Sequence, residues 1–504
     1  MTHAALTAND YPRQARSGPG GRRWVVALTS VSFFMVALDA LVVITALPAI
    51  RAGLHASMGT LDWAVNAYNL TFAAGIVGAA ALGDRLGRRR VYVGGLLLFT
   101  AASAACALAP GADSLIAARA IQGLGAATVT PLSLTLLTAA FPAARRGAIV
   151  GIWGGIAGLA VASGPLIGGA VVQGLDWHWI FWVNVPIGVA AAAASLVRLP
   201  ASRGPARGLD LPGMVLVAGG SAALAWGLVR AASTGWADQW VITGLAAGAA
   251  ALAAFIAWER RAAQPMLPLR LLRIRAFAAA SASGFLMNGA IFSAAFLCSQ
   301  YFQLGLGYSP LATGLRFLPW TATPMIVAPL AGAIADRIGT RPLMAAGLAL
   351  QAGGLAWIAL AASARTPYPE LILPLIIAGI GISAAIPATA SAALSAVPPE
   401  DLGTASGVQN TLQRFGGVFG IAIVSAVFAA TGHLGSAAGV TAGFRPALGV
   451  AAALSLLGAV IALAFGARRR AAAVRDGAVR DGAVRDAEGG TAPAADSAQP
   501  AAAR

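Results

Sequence analysis

The sequence predicts an all-α polytopic membrane protein: two six-helix bundles with an inserted helix pair, fourteen transmembrane helices in all. Three observations carry that prediction. Of 504 residues, 58% are apolar and only 10% charged, whereas soluble domains carry about 25% charge. The apolar residues fall into blocks of roughly twenty, the length that crosses a ~30 Å hydrocarbon layer at about 1.5 Å per residue. A polar motif, Asp-Arg-x-Gly-x-Arg, ends the second block at Asp84 and the tenth at Asp336, so the chain reads as a duplicated unit.

Residues 1–24 form a polar N-terminal tail with Arg13, Arg16, Arg22 and Arg23. The apolar run after it is too long for a signal peptide and is the first span. Spans are expected at 25–47, 61–82, 91–109, 115–138, 147–170, 179–197, 211–230, 239–258, 276–303, 311–334, 343–362, 371–397, 404–430 and 444–466. With the N-terminus inside, the inner connections hold sixteen arginines, among them Arg85, Arg88, Arg89, Arg90, Arg337 and Arg341. The outer ones hold Arg51, Arg230, Arg365 and Arg445. That asymmetry predicts cytoplasmic N- and C-termini in a cell (plasma or inner) membrane, and an even number of spans. The bundles are then 25–197 and 276–466, joined by a 198–275 linker that carries the extra helices 211–230 and 239–258. Residues 467–504 open on Arg468-Arg469-Arg470 and repeat Val-Arg-Asp-Gly-Ala. They hold too little apolar surface for a core and read as a disordered cytoplasmic tail.

The net charge of +16 comes from arginine alone, because the chain contains no lysine. That excludes a P-loop of the GxxxxGK[ST] type and a Schiff-base lysine, and with them a nucleotide-driven pump. The arginines border spans, so no nucleic-acid partner is implied, and the missing lysine reflects a GC-rich genome. Cys106 and Cys298 sit singly in apolar blocks, and His3, His55, His178 and His433 lie in tails or outer connections. No metal site, cofactor or enzymatic centre is expected. The partners expected are a small-molecule substrate, protons and the bilayer, with the monomer as the working unit.

Asp39 is the only acidic residue placed far from a membrane edge. A carboxylate at that depth costs several kcal/mol unless it is paired or protonated, which makes it a functional candidate. It lies about 12 Å below the outer end of the first span, and Arg119 about 6 Å below the outer end of the fourth. The arginine side chain can close that gap if the helices face each other. A movement that parts them would load or release a proton. The two motif loops, Asp84-Arg85-Leu86-Gly87-Arg88 and Asp336-Arg337-Ile338-Gly339-Thr340-Arg341, can latch neighbouring helix ends as gates, with Gly87 and Gly339 permitting tight turns. In the fifth span, Gly164-Pro165 and Gly168-Gly169 allow close backbone approach and bend the helix. The thirteenth span holds the most polar run, Gln409-Asn410-Thr411-Leu412-Gln413-Arg414. Asn410, Gln413 and Arg414, with Gln122 of the fourth span, are candidates to line a substrate cavity. With Asp39 as the sole deep carboxylate, Arg414 and Asn410 are expected to disfavour dicationic substrates.

Together these segments resemble the major facilitator superfamily, specifically its fourteen-span branch of drug/proton antiporters, over residues 25–466. Leu38-Asp39-Ala40-Leu41-Val42-Val43-Ile44-Thr45-Ala46-Leu47-Pro48 is similar to the branch's first-span signature, with Leu41 and Ile44 where threonine and asparagine are usual. The Arg119 segment is similar to the fourth-span motif, and Gly164-Pro165 to the fifth-span motif associated with export. Trp177-His178-Trp179-Ile180-Phe181-Trp182-Val183-Asn184 resembles the branch too, with His178 where arginine is common. The resemblance implies the major facilitator fold, a substrate site between the two bundles near the midplane, and multidrug efflux driven by proton influx, a basis of antibiotic resistance. A same-fold transporter of a physiological metabolite or siderophore, in either direction, stays open.

Overall fold

A computed structural model describes residues 19–141, 146–203, 210–265, 267–398 and 401–465, all helices and connections, with no strand among the described residues. The expected tail at 467–504 lies outside them, as does most of the N-terminal tail. One group of helices comprises α1 (Pro19–Leu54), α2 (Met58–Leu86), α3 (Arg88–Ala107), α4 (Ala112–Ala139), α5 (Arg146–Gly174), α6 (Trp179–Trp182) and α7 (Asn184–Arg198). A hairpin follows, α8 (Leu211–Thr234) and α9 (Gln239–Glu259), and then the single turn α10 (Leu269–Leu272). The second group comprises α11 (Arg275–Gln300), α12 (Pro310–Thr321), α13 (Thr323–Ile338), α14 (Thr340–Ala361), α15 (Pro369–Leu394), α16 (Leu402–Thr431) and α17 (Ala437–Phe465).

Local chemistry sets these helices. Ser57, Asp210, Asp238 and Ser309 each cap a helix by accepting a backbone N–H of its first turn, and Pro310 occupies a first-turn position where no donor is needed. Hydroxyls inside spans turn back onto their own helix, as Thr29 does to the Val25 carbonyl at 2.7 Å and Ser32 to that of Leu28 at 2.9 Å. These two hydroxyl hydrogens are then satisfied without water. Packing between helices relies on glycine. A methyl group at Gly289, Gly416 or Gly420 would strike the backbone across the α11–α16 contact, and one at Gly347, Gly354 or Gly381 would do so across α14–α15.

Helix lies on every segment where a span was expected, but length and apolar content do not by themselves qualify all fourteen as spans. Among the described residues eleven helices are long and apolar enough to cross a membrane, or twelve if the two arms of α2 are one span. α2 bends by 49° between Asp62–Ile76 and Gly78–Leu86. The segment expected at 311–334 is broken into α12 and α13 around Ala322, where Pro324 lacks the N–H that would continue the ladder. The glycine-rich α5 enters only as the shorter apolar helix Gly158–Gly174.

The duplicated motif makes the same turn twice. Gly87 (φ +106°) closes α2 and Gly339 (φ +87°) closes α13; each donates its N–H four residues back and each starts the next helix. A left-handed φ of this kind is cheap only for glycine. Several helix ends meet at the same end of the protein. Arg22 stacks on Phe141, Arg198 on Trp24, Arg89 donates to the Leu199 carbonyl, and Arg341 donates to that of Leu463. We call this the tail end.

Candidate functional site

Asp39, halfway along α1, is 3% exposed, and Arg119 of α4 is 1% exposed. They form an ion pair, with Arg119 Nη1 donating to Asp39 Oδ2 at 2.6 Å. The arginine therefore reaches inward rather than toward the nearer membrane face. Its Nη1 also donates to Gln122 Oε1 at 2.6 Å and its Nε to the Ala64 carbonyl of α2 at 3.1 Å, while the guanidinium lies 4.1 Å from the Tyr68 ring. The other carboxylate oxygen, Asp39 Oδ1, accepts from Gln122 Nε2 at 2.9 Å and from Asn184 Nδ2 of α7 at 3.0 Å. Ser103 of α3 accepts from the same two amides, at 2.7 and 3.4 Å. Four helices thus converge on the buried charge of α1, supplying dipoles and one counter-charge, which offset the desolvation an isolated carboxylate would suffer.

Sequence reasoning brought Asp39 to Arg119 but placed Gln122 in a substrate cavity. Gln122 is instead fully buried, spanning the ion pair and Ser103. Its spacing of three from Arg119 puts both on one face of α4, and that face is turned into the helix group. Ser103 and Asn184 were missed as site residues. Their signal was an isolated amide or hydroxyl side chain among mainly apolar neighbours. Replacing Asn184 by Leu removes a donor to a charged acceptor, worth about 1.5–3 kcal/mol, so transport should slow about tenfold or more. Initial rates in membrane vesicles will measure it, and an unchanged rate would exclude Asn184 from the site.

Asp62, near the start of α2, is 1% exposed and lies beside Ser425 of α16, its Oδ1 without a hydrogen-bond partner. α2 starts at Met58 and α16 covers that end, a contact invisible in sequence. Asp62 is a second buried carboxylate, four residues after the start of α2, whereas Asp39 lies halfway along α1. The polar run of α16 also divides. Gln413 is half-buried and packs its amide against Gly284 of α11. Asn410 is exposed and donates only to the Ser406 carbonyl of its own helix. Arg414 is half-buried with its guanidinium 4.1 Å from the Phe72 ring of α2, so it sits on the seam between the helix groups.

That seam is closed at the end away from the tails. Ser299 donates to the Ile44 carbonyl at 3.1 Å, Gln303 to that of Thr45 at 2.9 Å, and the Leu311 N–H to Gln173 at 3.2 Å. The export-motif glycines sit here. Gly164 and Gly168 abut Leu41 and Val42 of α1, Gly169 abuts the Pro310 carbonyl, and the Pro165 carbonyl abuts Gly314 of α12. Toward the tail end α5 and α13 separate: Gly155 has open space where a side chain would be, and Ile326 is 71% exposed. No ion pair among the described residues crosses the seam. Its neutral hydrogen bonds are worth only about 1 kcal/mol each and can be exchanged for water.

At the tail end Arg88 Nε donates to Asp84 Oδ1 at 2.8 Å, clamping α2 to α3, while Arg85 is exposed. In the second copy Arg337 is exposed and Arg341 holds α17, whereas the Asp336 side chain lies outside the described groups. Asp84→Asn or Arg88→Ala should lower the maximal rate several-fold while leaving KM within about twofold, because the clamp controls helix movement rather than ligand contact. A raised KM at unchanged maximal rate would contradict a gate.

Comparison with known proteins decides the family. The model described as Major Facilitator Superfamily matches residues 29–421 and, in a second match, 282–498. The chain belongs to the Major Facilitator Superfamily. Within this superfamily it is 34% identical over 417 residues to the "Tetracenomycin C resistance and export protein" of Streptomyces glaucescens, covering 82% of this chain and 77% of that one. It is 37% identical over 404 residues to the "Multidrug resistance protein Stp" of Mycobacterium tuberculosis, covering 80% and 75%. It is 36% identical over 422 residues to the "Methylenomycin A resistance protein" of Streptomyces coelicolor, covering 82% and 88%. Among solved structures, a POT-family peptide transporter in complex with sulfate superposes with a TM-score of 0.65 at 18% identity, covering 90% of this chain and 96% of that one. The fold is that of a major facilitator transporter, a multi-pass membrane protein and not an enzyme.

Proposed function

We propose that this transporter exports small amphipathic toxic compounds, antibiotics among them, by proton-coupled alternating access. The observation that carries this is the Asp39–Arg119 pair, two opposite charges each about 1% exposed at the side chain inside a member of a transporter superfamily. Three relatives named for resistance or export support the substrate class. In this reading the chain is a fourteen-span monomer with bundles at 25–197 and 276–466, its tail end cytoplasmic and the closed end of the seam outside.

The coupling runs along α1. Asp39 is three residues before Val42, which rests on Gly168 of α5, and five before Ile44, whose carbonyl Ser299 holds. When Asp39 is protonated, Arg119 loses its counter-charge but keeps Gln122 Oε1 and the Ala64 carbonyl, so α1 is released without stranding a bare cation. Movement of α1 then opens or closes the seam. Each charge entering down 100 mV supplies about 2.3 kcal/mol, enough for roughly fiftyfold uphill accumulation. In proteoliposomes with an imposed pH gradient, an amphipathic dye should be concentrated and then lost on adding a protonophore. Concentration indifferent to the protonophore would overturn the coupling, and no movement of any dye would overturn the substrate class.

A further inference from the structure

A cavity of about 930 Å³ lies on the flank of the protein, bounded by the α8–α9 hairpin, the Pro265–Arg273 connection, α11 and α16. Val217, Leu252, Phe255, Phe285, Phe415 and Phe419 contribute apolar walls, and Arg260, Arg270 and Arg273 lie at its tail-end rim. From Arg260 back to Leu252, and from Leu412 to Phe419, the walls run about 10 Å along their helices. The charges therefore sit at interface depth and the aromatic walls below them, in hydrocarbon.

The rim charges are not equivalent. Arg270 is engaged by Asp401 through two hydrogen bonds of 2.6 Å. Glu259, the acidic group lining the cavity, accepts the Leu267 N–H at 2.9 Å and is 4% exposed. Arg260 and Arg273 are exposed, and they leave the mouth positive. A cavity with a positive mouth at the headgroup level and a dry aromatic interior is complementary to an anionic amphiphile whose charge and chains occupy those same levels.

We propose that this cavity binds one anionic phospholipid, its phosphate at Arg260 and Arg273 and its acyl chains along Phe255, Phe415 and Phe419. The lipid then joins the hairpin to α16 where protein side chains leave space between them. This inference stands apart from the direction and coupling of transport. With the tail end cytoplasmic, the site opens on the leaflet richer in anionic lipid.

The test is titration of the detergent-purified full chain with phosphatidylglycerol and with phosphatidylcholine of the same chains, read by native mass spectrometry. Phosphatidylglycerol should bind and phosphatidylcholine should not. Arg260→Gln together with Arg273→Gln should weaken phosphatidylglycerol roughly thirtyfold. Arg365→Gln, an exposed charge at the opposite end, should leave binding unchanged. Ile256→Glu places a carboxylate on the exposed part of the wall and should weaken binding in a monodisperse protein, so the test survives misfolding of the double variant. Equal binding of the two lipids, or full binding by the variants, would overturn the proposal. Competition by glycerol phosphate as strong as by intact lipid would overturn it too, by showing an anion site without chain contacts.

Discussion

Asp39→Asn is expected to abolish concentrative export while leaving the protein inserted and folded. The substitution keeps the shape of the side chain and its contact with Arg119 but removes the only charge that cancels the guanidinium, whose side chain is 1% exposed. An amide cannot carry a proton, so both states of the transport cycle become electrostatically the same at this position, and nothing links movement of α1 to the gradient. Accumulation should fall to the level of cells lacking the protein, while downhill exchange of dye across vesicles continues. Arg119→Ala should do the same, and the double variant should lose no more than either single, since groups acting as a unit are not additive. Concentrative export by Asp39→Asn, or losses that add in the double variant, would remove the pair from the coupling mechanism.

The second large effect is expected at the seam. A methyl group at Gly169 meets the Pro310 carbonyl, and one at Gly314 meets the Pro165 carbonyl, so Gly169→Ala or Gly314→Ala forces α5 away from α12. Overpacking of this kind costs about 1–3 kcal/mol. Paid only in the closed state, that cost shifts the ratio of closed to open seam by about five- to 150-fold. Turnover should fall in proportion. A cysteine placed at Ser299, which is fully buried against the Ile44 carbonyl across the seam, should become reactive to a membrane-impermeant maleimide. The native Cys106 and Cys298 are buried and give little background. Unchanged labelling and unchanged turnover in both glycine variants would show that the seam does not need this contact. The result would also give the fifth-span motif a physical meaning: its glycines bring α5 onto α1 and α12 without side chains between them, and a contact of that thinness can open and close as a rigid unit.

How much of this was legible in sequence differs by residue. Positions whose meaning depends on their own helix were readable. Gly87 and Gly339 were expected at tight turns, and both carry positive φ. Asp39 and Arg119 were expected within reach of each other in depth, because depth along two helices is computable from residue number, but their facing was a condition that only the packing of α1 against α4 met. The broken helix at 311–334 was missed although Pro319 and Pro324 lie inside it, because its apolar content outweighed the prolines in the reading.

Sequence alone determined the class of protein, its helical segments, the duplicated turn and the depth of the two opposite charges. All of these follow from local rules: length against bilayer thickness, glycine against φ, charge against depth. Only the tertiary structure decided which face of each helix met which neighbour. It turned Gln122 into the ion-pair cluster rather than a cavity, joined Ser103 and Asn184 to it, laid α16 over Asp62, and set Arg414 on Phe72 at the seam. In a chain this apolar, every face of a helix is hydrophobic enough to be buried or to meet lipid. The hydrophobic pattern therefore carries almost no rotational information, and the facing is chosen by backbone approach at glycines and by a few polar contacts between segments far apart in the chain.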